Sequence, residues 1–242
     1  MKAIILAAGL GTRLKPLTND LPKALIQVNK RPLLHHVIEH LKHHGIKEII
    51  INVHHQAQKI LAFLKANNDF GIRIEISHES EILETGGGIK NARWFFDDNR
   101  PFLVHNVDIL TDLNLTEMIK WHMQHDSIAT LAVRKRDTRR QLLFDNESEL
   151  VGWQSDRRIE RAKDIALNRL EPFSFMGVHI ISPEIYSLFP TEDHFSIISA
   201  YLKIVTLNKK IIAFRGDQYY WFDIGKPERI IEAEQFFDKD RL

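Results

Sequence analysis

The sequence predicts an α/β protein: a mixed sheet, mainly parallel, flanked by helices and carrying a small antiparallel insertion. Three observations predict it. Short apolar runs alternate with helical patterns through the first half, which calls for a parallel sheet with right-handed crossovers. The second half holds a hairpin pattern around a polar turn and fewer helices. No repeat, low-complexity tract or Gly/Ser-rich linker interrupts the 242 residues, so a single domain, 1–242, is expected, with halves at 1–110 and 111–242.

Lys2 to Ala7 (KAIILA) is a short apolar run leading to glycine, the mark of a strand buried on both faces. Leu34, Val37, Ile38 and Leu41 recur at helical spacing, and Gly45 closes that helix. Glu48 to Val53 is a second buried strand. Gln56 to Ala66, with Ile60, Leu61 and Leu64, is an amphipathic helix, and Ile72 to Ile76 a third strand. Ile89 to Phe96 reads as a helix and Phe102 to His105 as a fourth strand. Further on, Ile128 to Val133 is a strand, Gln141 to Trp153 a hairpin, and Phe173 to Ile181 a long apolar strand. A helix near Ile197 to Val205 precedes strands near Ile211 to Phe214 and Tyr219 to Asp223. Pro227 suits the first turn of a final helix that runs to about Phe237.

Composition narrows the function classes. With 33 basic against 32 acidic side chains, the chain lacks the basic excess of a nucleic-acid binder. It has no cysteine, hence neither disulfides nor thiolate-bound metal. The apolar run before Gly9 is too short for a signal peptide, and nothing approaches the roughly 20 apolar residues of a membrane span. The expectation is a cytoplasmic protein, monomeric or a small homo-oligomer, with no nucleic-acid or membrane partner.

Ligands of an open parallel sheet bind beyond the carboxyl ends of its strands. The loop after the first strand, Leu6-Ala7-Ala8-Gly9-Leu10-Gly11-Thr12-Arg13, is the most informative of these. Small residues and two glycines let backbone N–H groups approach an anion, and Arg13 offers a planar fork for phosphate oxygens. Taken alone, the same loop reads equally well as a tight strand-to-helix turn. A dinucleotide fingerprint fails because Leu14 stands at its third glycine, and no GK[ST] follows for a P-loop. A nicotinamide-dependent oxidoreductase is disfavoured accordingly.

Leu21-Pro22-Lys23-Ala24-Leu25 adds a cation, Lys23, in an apolar run; the plainer account is a surface lysine. Glu84-Thr85-Gly86-Gly87-Gly88 reads as a glycine run ahead of a helix, either a flexible connector or a source of N–H donors. Asp108 and Asp223 each follow a strand, as turn or cap residues or as hard-oxygen ligands for magnesium. Among 13 histidines, His36, His40 and His43 lie opposite the apolar face of their helix and read as a solvated face; no HExxH is present.

Gly9-Leu10-Gly11-Thr12-Arg13-Leu14, Pro16-Leu17-Thr18 and Leu21-Pro22-Lys23 together resemble the signature of sugar-1-phosphate nucleotidylyltransferases. The resemblance spans nearly the whole chain. Glu84 to Gly88 resembles the family's base-binding loop, and Asn106-Val107-Asp108 stands where the family has a metal-binding aspartate. Phe175-Met176-Gly177 resembles its sugar-contact segment, and Trp221-Phe222-Asp223-Ile224-Gly225 its second metal aspartate. Two departures are visible: Val107 where glycine is usual, and Ala24 where proline is common.

The resemblance implies a Rossmann-like fold of the nucleotide-diphospho-sugar transferase type, with a nucleotide-binding half (1–110) and a sugar-binding half (111–242). It implies nucleotide contacts from Leu6, Ala7, Ala8, Gly9, Gly11, Thr12, Arg13, Thr85 and Gly86, and sugar contacts from Asn106 and Gly177. Arg13 and Lys23 are the implied catalytic cations, and Asp108 and Asp223 the implied Mg2+ ligands. The partners are a nucleoside triphosphate and a sugar 1-phosphate. In its brevity and its ETGGG run the chain is similar to the N-acetylmuramate-1-phosphate uridylyltransferase subgroup, with short mannose-1-phosphate guanylyltransferase-like proteins close behind. UTP is the favoured donor, with an amino-sugar or muramic-type 1-phosphate as acceptor. The alternatives are a guanylyltransferase on mannose- or heptose-1-phosphate, for which Glu79, Glu81 and Glu84 are candidate acceptors to guanine, and a non-catalytic nucleotide-sugar-binding regulator. The basic run Arg134 to Arg140 reads as a solvated loop, or more sharply as a contact to an anionic sugar substituent.

Overall fold

The computed structural model describes residues 1–163 and 165–239. In chain order its elements are β1 (Ala3–Leu6), β2 (Gln27–Val28), β3 (Arg31–Pro32), α1 (Leu33–His43), β4 (Glu48–Val53), α2 (Ala57–Ala66), β5 (Arg73–His78) and α3 (Glu84–Asn91). Then follow β6 (Phe102–Asn106), β7 (Ile109–Thr111), α4 (Leu115–Gln124), β8 (Ala129–Arg134), β9 (Arg140–Phe144), β10 (Leu150–Ser155) and β11 (Arg158–Arg161). The last are β12 (Glu171–Ile181), α5 (Ile197–Thr206), β13 (Ile211–Arg215), β14 (Trp221–Asp223) and α6 (Pro227–Lys239).

A ten-stranded sheet runs in the order β11-β10-β9-β12-β6-β1-β4-β5, with β8 paired to β12 and β13 to β8. The central strands β5, β4, β1 and β6 are all parallel, as the apolar runs predict; Ala3 stands opposite both Ile49 and Leu103. β1 is wholly buried because alternate residues enter different cores. Ala3 and Ile5 pack with Leu34, Val37 and Leu41 of α1, while Ile4 and Leu6 pack with Ile89 and Phe102. Burial on both faces is what turns the alternating pattern of a surface strand into a continuous apolar one. β12 runs antiparallel to β6, with His179 opposite Val104, and joins the second half of the chain to the same sheet.

Three expectations need correction. The glycine run is not a loop before a helix: α3 begins at Glu84, so Gly86, Gly87 and Gly88 form its first turns. Glycine disfavours helix interiors, but here the segment before α5 presses against the helix. A Cβ at Gly87 would stand 1.9 Å from the Asp193 carbonyl oxygen. Second, α1 is covered on two sides. His36 and His40 donate to the Val28 and Leu113 carbonyls at 2.9 and 3.0 Å, and burial pushes His40 down to about 3. Third, α4 had no counterpart among the expected helices; its Asn114 cap accepts from the Glu117 N–H at 3.1 Å.

A separate two-stranded sheet joins β7 to β14 antiparallel, with Asp223 opposite Ile109. The Ile224 N–H donates to the Asp108 carbonyl at 2.9 Å. This small sheet brings the late segment carrying Asp223 against the loop that follows β6.

Candidate active site

Two cavities open at the carboxyl ends of β1 and β6 and share Asn106 and Asp108 in their walls. The smaller, about 190 Å³, is lined by Leu6, Ala8, Gly9, Lys23 and Thr85 among others. The larger, about 590 Å³, takes Arg13, Gly177 and Asp223 into its wall. Ala7, Gly11, Thr12 and Gly86 line neither.

The geometry of the first loop explains that split. Gly11 has φ +62, and a Cβ there would come within 2.9 Å of the Thr18 methyl and 3.1 Å of Lys23 Cβ. Its carbonyl accepts from the Leu14 N–H and the Thr18 hydroxyl, each at 2.9 Å. Gly11 therefore lets the Lys23 segment close on the loop. Gly9 differs: nothing lies within 4 Å of the Cβ position, so its open side faces the space available to a ligand.

Lys23 is only 9% exposed and donates to the Asp108 carboxylate. Asp223 faces the same cluster. Its carboxyl is held above the ordinary aspartate range, first by burial and then by the Asp108 charge, with Lys23, Arg13 and Arg136 pulling the other way. Gly225 completes the corner: a Cβ there would sit 3.1 Å from both Asp223 Oδ1 and Arg13 Nη2. Among the described residues no group of three or more His, Cys, Asp or Glu forms a protein-only metal cage. Two hard carboxylates, of which Asp223 is raised in part by the Asp108 charge, beside a corner kept open by glycine, fit a magnesium ion, which takes hard oxygen ligands.

Gly177 sits at a bulge in β12 with φ +78, and a Cβ would meet Ile109 at 2.7 Å and Asn106 Nδ2 at 3.0 Å. It thus holds Asn106 at the junction of the two cavities. Behind Asn106, His105 is buried; its Nδ1 donates to the Asn106 carbonyl at 2.9 Å, and burial lowers the imidazole to about 4.

Sequence reasoning did not single out Asn52. Its Oδ1 accepts the Ala7 N–H at 2.6 Å, and its Nδ2 donates to Glu79 Oε1 at 2.6 Å. Glu79 is 1% exposed and its second oxygen accepts from the Leu83 N–H at 3.1 Å. Both residues form the back wall of the smaller cavity. The available signal was a lone asparagine in the apolar run EIIINV, at a strand's carboxyl end. Thr85 is engaged as well: its hydroxyl accepts the Ile197 N–H at 3.0 Å, and the Gly86 and Gly87 N–H groups both point to the Phe195 carbonyl, at 3.0 and 3.2 Å.

Comparison with known proteins agrees with this geometry. The UTP–glucose-1-phosphate uridylyltransferase of Synechocystis is 30% identical over 244 residues, 93% of this chain and 60% of that protein. The mannose-1-phosphate guanyltransferase of Kluyveromyces lactis is 31% identical over 235 residues, 96% of this chain and 63% of its own length. The chain thus spans about three fifths of the length of these curated relatives. Among solved structures, HddC from Yersinia pseudotuberculosis complexed with GMP-PN superposes with a TM-score of 0.75 at 26% identity, covering 98% of this chain and 99% of that one. The sequence profile of the nucleotidyl transferase family matches residues 2–142, more than half of the chain, and with the relatives above it shows that the chain belongs to that family.

Proposed function

We propose that the chain transfers a nucleotidyl group from a nucleoside triphosphate, UTP by preference, to a sugar 1-phosphate, releasing pyrophosphate. The observation that carries this reading is the convergence of Arg13, Lys23, Asp108 and Asp223 where the two cavities meet. On this reading residues 1–110 serve the nucleotide and 111–242 the sugar.

A sugar-phosphate oxygen forms a bond to the α-phosphorus as the bond from that phosphorus to the pyrophosphate oxygen breaks. The nucleophile is already an anion, so no protein base is needed. The chain's work is to hold two polyanions in line and offset their repulsion. Lys23 serves the reacting phosphoryl group, Arg13 the triphosphate tail, and the open side of Gly9 admits the phosphates. Asn106, held by Gly177, orients the sugar. Asp108 and Asp223 are the residues that would hold Mg2+, which when bound neutralises charge on phosphate oxygens.

The preference for UTP rests on Glu79. Both of its oxygens already accept protein N–H groups, which fixes the buried carboxylate against Asn52 and Leu83 and leaves only its remaining lone pairs for the donor edge of guanine. A second reading, GTP with mannose- or heptose-1-phosphate, is favoured by Glu84, a carboxylate in the smaller cavity, and by the guanylyl relatives. A panel of nucleoside triphosphates against sugar 1-phosphates, read by pyrophosphate release, tests both. A tenfold preference for GTP in kcat/KM, about 1.4 kcal/mol, overturns the donor assignment. Nucleotide binding with no release from any pair overturns the reaction and leaves a binding protein.

A further inference from the structure

The larger cavity is lined by four arginines, Arg13, Arg136, Arg140 and Arg158, against three carboxylates, Asp108, Glu160 and Asp223. Of the arginines that line it, Arg158 is paired with Glu160 at 3.0 Å, and Arg13 and Arg136 both feel the Asp223 charge. Arg136 and Arg140 belong to the second half of the chain. They flank the turn from β8 to β9, and among the described residues neither has a carboxylate within ion-pair distance. The Arg136 guanidinium rests 5.0 Å from the Trp221 ring centroid, and a guanidinium stacked on an aromatic face keeps its donor edge free.

The facing walls are built for an anion too. Ser174 on β12 is 5% exposed, lines the cavity, and its hydroxyl has no partner. A buried hydroxyl without a partner carries a desolvation cost that a ligand oxygen would relieve. Ser196 and Ser199, at the N-terminus of the ten-residue helix α5, border the same space. The first-turn N–H groups of a helix have no intrahelical acceptors, and its dipole favours negative charge there. Of the residues assigned to the nucleotide, Lys23 and Gly9 line the smaller cavity and not the larger, while Arg13 lines the larger; of these two cavities Arg136, Arg140 and Ser174 line only the larger.

We infer that the acceptor carries a second anionic group besides its 1-phosphate, received by Arg136, Arg140 and the Ser174 hydroxyl. The inference rests on the nucleotidyl-transfer reading for what the acceptor is, but not for the anion subsite itself. A planar fork donates to two oxygens of a carboxylate or of a phosphate equally well, so the shared chemistry is an oxyanion on the sugar.

Matched acceptors test it: glucose 1-phosphate against glucuronic acid 1-phosphate and glucose 1,6-bisphosphate, and N-acetylglucosamine 1-phosphate against its 3-O-lactyl ether. Binding is followed by tryptophan fluorescence, since Trp153 and Trp221 line the cavity, and turnover by pyrophosphate release. At least one acidic acceptor should bind tenfold more tightly than its neutral partner, with the advantage shrinking as salt rises. The arm that wins tells carboxylate from phosphate. In R140Q, and in R136Q/R140Q if it folds, the ratio of acidic to neutral affinity should fall about tenfold. Equal affinity within every pair, or a ratio unmoved in R140Q, overturns the inference even if neutral acceptors turn over well. Preferential binding of an acidic acceptor without pyrophosphate release sustains the subsite while refuting the transfer reaction.

Discussion

Replacing Lys23 by alanine should separate stability from turnover. The Lys23 and Asp108 side chains are 11% and 22% exposed and make a direct ion pair. Unit charges at about 4 Å attract by roughly 4 kcal/mol at an effective dielectric of 20, but dehydrating both offsets most of that. Truncating only the lysine leaves Asp108 uncompensated in a largely buried place, a cost of roughly 2–3 kcal/mol. For a chain of this size that lowers Tm by roughly 4–12 °C. Changing Asp108 to asparagine as well removes the stranded charge, so K23A/D108N should recover most of the lost stability in urea or thermal unfolding. Turnover should not recover. The cation at the reacting phosphoryl group is missing from both variants, so kcat falls about a hundredfold or more while KM for the triphosphate changes far less. A K23A enzyme with near wild-type kcat would reduce Lys23 to a structural partner of Asp108. A double variant no more stable than K23A would show that the ion pair is not the source of the loss.

Asp223→Asn should abolish pyrophosphate release yet raise the metal-free Tm at pH 7. The folded carboxyl binds its proton more tightly than the unfolded one, so the wild type loses stability as pH rises through that window; an unchanged or lower Tm contradicts the assigned repulsion. Excess chelator should stop turnover, and activity that persists in it removes the two-aspartate site. His40, His105 and His179 are neutral in the fold, at about 3, 4 and 3, chiefly through burial, whereas unfolded histidine titrates near 6.5. Their contribution to stability is therefore complete above about pH 6.5 and lost as pH falls toward 4, so the urea midpoint should drop between pH 7 and pH 5; a flat profile refutes it. Gly87→Ala places a Cβ 1.9 Å from a backbone oxygen and should cost about 2–3 kcal/mol, whereas Gly9→Ala meets nothing within 4 Å and should be nearly neutral for folding while raising KM for the triphosphate. Equal stability of the two variants would sink the packing argument.

What the sequence made legible was whatever a short window contains. β1, β4 and β6 announce themselves because burial on two faces makes the middles of AIIL, EIIINV and FLVHN continuous apolar runs, with polar residues confined to or near the strand ends. Arg13 and Lys23 stood out because glycines and a proline mark their loop. The register that sets Asp223 opposite Ile109 was not legible, because it depends on pairing between segments more than 100 residues apart. His40 was misjudged for a related reason. A helical wheel shows one apolar stripe, but it cannot show that the Leu113 carbonyl and the His105 ring also close on the other side of α1. The site's polar back wall, a side-chain hydrogen bond from Asn52 in β4 to Glu79 just beyond β5, leaves no periodic trace.

The glycine run of α3 shows how a motif can be noticed for the wrong physical reason. Three glycines ahead of a helix suggest free N–H groups waiting for a base. Instead the Gly86 and Gly87 N–H groups are committed to the Phe195 carbonyl, and the Thr85 hydroxyl to the Ile197 N–H. Side chains at these positions would strike Phe195, Asp193 or the Asn52–Glu79 pair. The run is glycine so that two backbones can touch. That contact joins α3, whose Glu84 and Thr85 line the smaller cavity, to α5, whose Ser196 and Ser199 line the larger one. Hydrogen bonds therefore tie the wall of one cavity to the wall of the other. With the Gly86 and Gly87 N–H donors already spent, discrimination between bases falls, on the proposed reading, to the Glu84 and Glu79 carboxylates in the wall of the smaller cavity.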